Sequence, residues 1–148
     1  MHWKHILVTT DLSEESERAF LTVAELAKEN NAEITLLNVV ADLRVVPQSA
    51  PLAPPMTMMD IDQECKEAER RLAIQSKLFD KSLKVICRVI MGDDIPREIA
   101  KYAASNGQDL IAISTHGRSG FQRMIMGSVA EAVLHHSHVP VLCFPRSE

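Results

Sequence analysis

The reading of the fold turns on Ile113–Val129, ISTHGRSGFQRMIMGSV. An apolar run ends here, and Gly117 and Gly120 follow three residues apart. A basic and apolar segment then leads to Gly127-Ser128, where a new periodic pattern opens. The chain has only five glycines, so three in one stretch ask for a reason. Glycine serves where the backbone takes positive φ or must pass close to another group. Gly117 allows a tight turn just beyond a strand end, and Gly127-Ser128 stands where a helix begins. Unpaired N–H groups at a helix N-terminus, at the positive end of its dipole, make an anion site. Ser128 can cap that helix or donate to a phosphate oxygen, with Arg118 and Arg123 supplying positive charge nearby. A phosphate loop and a plain turn both fit this pattern.

Working outward, five short runs rich in Val, Ile and Leu stand out: 5–9 (HILVT), 33–40 (EITLLNVV), 84–90 (KVICRVI), 109–114 (DLIAIS) and 139–144 (VPVLCF). The second, fourth and fifth are nearly continuous, as in strands covered on both faces. Helical patterns separate them. One spans 13–30, with Ser13 as cap, Glu14 and Glu15 in its first turn, and Ala19, Phe20, Val23, Ala24 and Ala27 on one face. A second spans 60–79 through Ile61, Cys65, Ala68, Leu72 and Leu78 or Phe79. A third, 96–105, opens on Pro96 and buries Ile99, Ala100 and Ala103; the last is 128–136. Strands alternating with helices imply right-handed crossovers and a parallel sheet with helices on both faces. Ligands of such sheets bind outside the carboxyl ends of the strands, where strand order reverses. The loops 10–12 and 115–126 are expected to reach that crevice.

At 148 residues, 46% hydrophobic and 24% charged, the chain reads as one domain, 1–148. Its net charge of −4 gives no basic footprint for nucleic acid. No run approaches the roughly 20 apolar residues of a membrane span, and the opening apolar run is too short for a signal-peptide core. Cys65, Cys87 and Cys143 are odd in number and widely spaced, as free thiols of a reducing compartment are. A cytoplasmic protein is expected. Segment 45–60 (VVPQSAPLAPPMTMMD) carries four of the seven prolines and reads as a long irregular connection. It is either a surface loop or an adaptable cover in which Met56, Met58 and Met59 face the crevice or a partner.

Neither G-x-x-x-x-G-K-[ST] nor a G-x-G-x-x-G after the first strand is present, so the common phosphate-loop and dinucleotide fingerprints do not apply. What the sequence shows instead is Ser114-x2-Gly117-x9-Gly127-Ser128, continuing SVAEAVLHHSHVPVL. With ILVTTDLSEESERAF at the start and MGDDIPREIAKYA before the fourth strand, the chain resembles the universal stress proteins of single-domain type. Their nucleotide motif is G-x2-G-x9-G-[ST] after the fourth strand. The resemblance covers essentially the whole chain outside the proline-rich segment.

That resemblance implies an open five-stranded parallel sheet of order 3-2-1-4-5, Rossmann-like and akin to the adenine nucleotide alpha hydrolases. It implies a homodimer and a mononucleotide ligand, ATP or AMP, with Mg²⁺ accompanying the phosphates. By position, Thr9 packs near the base, Asp11 receives the adenine or ribose side, and Val39 lies beside the adenine. Met91 and Gly92 line the same pocket. Gly117, Gly127, Ser128 and Val129 hold the phosphates. Arg118 adds charge, and His116 either contacts a phosphate or packs within the loop. The motif's first glycine is Ser114 here: tolerable if only close approach is needed, strained by about 1–2 kcal/mol if φ must be positive.

Other candidates read more plainly. Asp11 also suits a turn before the first helix. His135, His136 and His138 sit near a helix C-terminus, where the dipole favours them, rather than forming a metal site; His2 and His5 are similarly weak. Asp93 and Asp94 read as turn residues ahead of Pro96, although a Mg²⁺-dependent ATPase would want such groups. The leading expectation is therefore a nucleotide-binding stress-response regulator with an unidentified regulatory partner. The alternatives are a dimeric interaction module without nucleotide, and a slow ATPase or self-phosphorylating enzyme. In the strand order that the resemblance implies, the apolar run 139–144 is an edge strand, where an unpaired edge invites association, and two-fold pairing with a second copy is expected there.

Overall fold

The computed structural model describes residues 1–45, 57–115 and 128–145. Five strands, β1 (His5–Thr9), β2 (Glu33–Ala41), β3 (Val85–Gly92), β4 (Leu110–Ser114) and β5 (Val141–Phe144), form one sheet. Its order is β3-β2-β1-β4-β5 and every pairing is parallel. The chain thus moves outward from β1 in one direction through β2 and β3, then crosses back to β4 and β5. Among the described residues four α-helices lie between the strands: α1 (Arg18–Asn30), α2 (Met58–Ser76), α3 (Ile95–Ser105) and α4 (Ser128–His136).

Alternation along the strands assigns the helices to faces. Ile6, Val8, Ile34 and Leu36 pack with Ala19, Phe20, Val23 and Ala27 of α1 and Leu72 of α2. Leu7, Leu37, Ile111 and Ile113 point the other way, onto Ile99 and Ala103 of α3 and Ala130 and Val133 of α4. Both faces of β1 are dry, with Ile6, Leu7 and Val8 all fully buried. Phe20 stacks on Phe79 at a centroid distance of 4.7 Å, whereas the alternative, Leu78, is 60% exposed.

Element ends differ from the sequence pattern for local reasons. Ser13 caps as expected, but the turn it caps is a 3-10 helix, Glu14–Glu17, before α1 begins. Helix α2 begins at Met58, inside the segment read as irregular, because Thr57 and Asp60 form a capping box. Asp94, read as a turn residue, is the N-cap of α3 and accepts from the Arg97 amide. Strand β5 starts two residues late, after Pro140. Ser137 there accepts from the Val139 amide and donates to the Val139 carbonyl. The cysteines are free and half-buried, and burial raises the thiols of Cys65 and Cys143 above the ordinary cysteine range. Among the described residues, no helix is long and apolar enough to cross a membrane.

Candidate functional site

The order reverses between β1 and β4, and a crevice of about 590 Å³ opens there, a size that suits a small-molecule ligand. Strand ends and the residues just after them supply its floor: Thr9 of β1 with Thr10, Leu37 to Ala41 of β2, and Ile113 and Ser114 of β4 with Thr115. Ile95 and Ile99 of α3 give an apolar wall, Glu64, Glu67 and Arg71 of α2 a charged one, and Ser128, Val129 and Ala130 of α4 a third.

The loop after β1 is shaped by hydrogen bonds from every side. Asp11 Oδ1 accepts from the amide (3.0 Å) and the hydroxyl of Ser13. Leu12 takes φ 69°, a left-handed conformation that costs a leucine about 1–2 kcal/mol. Its amide donates to Thr10 Oγ1 at 2.9 Å, and its carbonyl accepts from Arg71 Nη2 at 2.9 Å. Thr10 Oγ1 donates to Gln75 Oε1 at 2.7 Å, and Asn38 Nδ2 donates to the Thr10 carbonyl at 2.9 Å. Thr10, Ser16, Asn38 and Gln75 are all buried, so these polar groups are partnered where an orphan would be costly.

Of the residues singled out in the sequence, Thr9, Asp11, Val39, Ser114, Ser128 and Val129 line this one crevice. Met91 and Gly92 are not among its lining residues. They lie at the end of edge strand β3, paired with Val40 and Ala41, and Met91 is exposed. Gly92 leaves room for Glu98, whose Cγ a Cβ at this position would meet. Met58 and Met59 are exposed in the first turn of α2 rather than lining the crevice. His116, Gly117, Arg118, Gly127 and Met56 lie outside the described residues.

Ser114 keeps negative φ, since Leu12 and Asn31 are the non-glycine residues with positive values among those described. Its hydroxyl donates to the Ser16 carbonyl at 3.2 Å, toward the α1 face. Helix α4, with Ser128, lies across the sheet on the other face. The added side chain therefore points away from the helix N-terminus.

The loop 10–12 reaches the crevice through Thr10, Asp11 and Leu12, as its place after the first strand predicts, whereas sequence reasoning missed Asn38, Glu64, Glu67, Arg71 and Gln75. The signal for the last four was present: they recur at helical spacing as a polar stripe beside the apolar one of α2. Charge is uneven around the crevice. The wall near α2 presents Asp11, Glu64 and Glu67 against Arg71, and Glu67 also pairs with Arg70 at 2.7 Å. Among the described residues, no cluster of His, Cys, Asp and Glu could hold a metal ion.

A parallel α/β sheet with a ligand-sized crevice at its switch point defines a class whose members bind small ligands there. The chain belongs to the universal stress protein family, whose model matches residues 2–145. It is 30% identical over 141 residues to universal stress protein MJ0531 of Methanocaldococcus jannaschii, covering 95% of this chain and 81% of that one. The solved structure of MJ0577, from the same organism, superposes with a TM-score of 0.76 at 28% identity, over 100% of this chain and 99% of that one. The fold is shared as well with an Archaeoglobus fulgidus universal stress protein solved in complex with dAMP. There the TM-score is 0.62 at 19% identity, over 97% and 98% of the two chains.

Proposed function

We propose that this protein binds an adenine nucleotide, ATP or AMP, in the crevice between β1 and β4, and acts as a homodimeric stress-response regulator. The observation that carries the reading is the polarity of the crevice. Carboxylates of Asp11, Glu64 and Glu67 repel phosphates from the α2 side, while Ser128 at the start of α4 stands on the other. A nucleotide is oriented by that contrast. Its base lies over Leu37, Val39 and Ile99, its ribose faces Asp11, and its phosphates reach Ser128 and the segment holding Gly117, Arg118 and Gly127. Mg²⁺ travels with the phosphates. The dAMP complex of the Archaeoglobus relative supports an adenine ligand in this fold. The reading is supported too by Ser114, whose hydroxyl is engaged by the Ser16 carbonyl.

The direct test is mass spectrometry of nucleotide released by denaturing freshly purified protein, followed by calorimetric titration with ATP and AMP. Copurified adenine nucleotide and micromolar binding are expected. Neither nucleotide nor heat of binding would leave a dimeric module that retains the fold alone. Gly127→Asp should weaken ATP binding by at least tenfold, because a carboxylate then faces the phosphates.

A further inference from the structure

We propose that Arg71 and Gln75 of α2 are positioning residues that hold the turn from Thr10 to Ser13, and with it Asp11, in the shape the crevice presents to its ligand. The inference rests on the nucleotide reading above but assigns to α2 a role that neither the glycine motif nor the fold requires. The two side chains stand one helical turn apart and grip consecutive groups of the same loop. Arg71 Nη2 donates to the carbonyl of Leu12 at 2.9 Å. Gln75 accepts from Thr10 Oγ1 at 2.7 Å, and its Nε2 donates to the Ser13 carbonyl at 3.3 Å and to Glu17 Oε1 at 3.0 Å.

The residue between these anchors needs holding. Leu12 is left-handed without being glycine or asparagine, a conformation that persists only where its surroundings enforce it. Asp11 precedes it, with Oδ1 tied to Ser13, so a change at Leu12 swings the carboxylate and its partner together. Helix α2 thus builds one wall of the crevice and fixes the geometry of the adjoining lip.

The test uses the full chain with Arg71→Met, which keeps the apolar stem, and Arg71→Lys, which keeps a charged donor. Adenosine, AMP and ATP are titrated by calorimetry, and amide hydrogen exchange is followed at Leu12 and Ser13. Arg71→Met should lose about tenfold in affinity for all three ligands alike, the scale of one hydrogen bond from a charged donor. Arg71→Lys should recover part of that loss. Exchange at Leu12 and Ser13 should quicken while Leu7 and Val8 in β1 stay protected. A loss confined to ATP would make Arg71 a phosphate contact and overturn the proposal. So would unchanged exchange, or faster exchange with unchanged affinity. If the unaltered protein binds none of the three ligands, the nucleotide reading fails by itself, and the exchange data still decide whether Arg71 holds the turn.

Discussion

Ser114 departs from the family motif, and the strand register decides where its side chain goes. As the last residue of β4 its side chain must alternate with that of Ile113, which packs toward α3 and α4. The hydroxyl is therefore directed to the face of α1, where it meets the Ser16 carbonyl. Ser114→Gly should change ATP affinity less than about threefold. It should lower stability by about 1 kcal/mol, through the lost hydrogen bond and the added backbone freedom. Urea unfolding beside calorimetry separates the two effects, and a large gain in affinity would show that the serine does intrude on the phosphates. The departure itself was plain in the sequence, but its direction needed the strand register. Leu12 was less legible still. Nothing in a leucine announces positive φ, because the conformation is imposed by Thr10 and Arg71, the latter distant along the chain.

Elements were legible where periodicity was strong and blurred where caps decide. Helix α2 begins earlier than its apolar pattern because Thr57 and Asp60 satisfy each other's amides. The same local logic operates where α1 meets the turn after α2. Lys28 Nζ pairs with Asp80 Oδ2 at 2.7 Å, and the Ser82 amide donates to Asp80 Oδ1 at 2.8 Å. These contacts, the lysine's first, hold the Asp80 carboxyl well below its usual range. A carboxylate with a depressed folded pKa adds stability above its unfolded value and loses it as pH falls through the folded one. Asp80→Asn should therefore be less stable than the parent at neutral pH, with the gap closing as pH drops below the ordinary carboxylate range. Denaturation midpoints measured across that range would show it. Both groups are exposed, so high salt should narrow the gap as well. A gap of constant size at every pH would assign the effect to packing instead.

On the scale of the whole molecule, strand and helix order was written in the apolar runs, and the crevice followed from topology. The polar stripe of α2 was visible, but what it would touch was not, since the groups that meet at Thr10 come from Ser16 and Gln75 on separate elements. The open edge at β5 carries the remaining expectation, a homodimer. Ile111 donates to the Pro140 carbonyl and Thr115 to that of Phe144, so alternate residues of β5 face β4 and the backbone groups of Val141 and Cys143 turn outward. A proline at an outward position removes an edge donor while sparing the ladder to β4. Cys143→Pro should therefore convert the proposed dimer into a folded monomer, seen as a halved mass in sedimentation with an unchanged helical circular dichroism spectrum. Persistence of the dimer would move the interface away from β5. A monomeric parent would dismiss the interface altogether, leaving the crevice to function within a single chain.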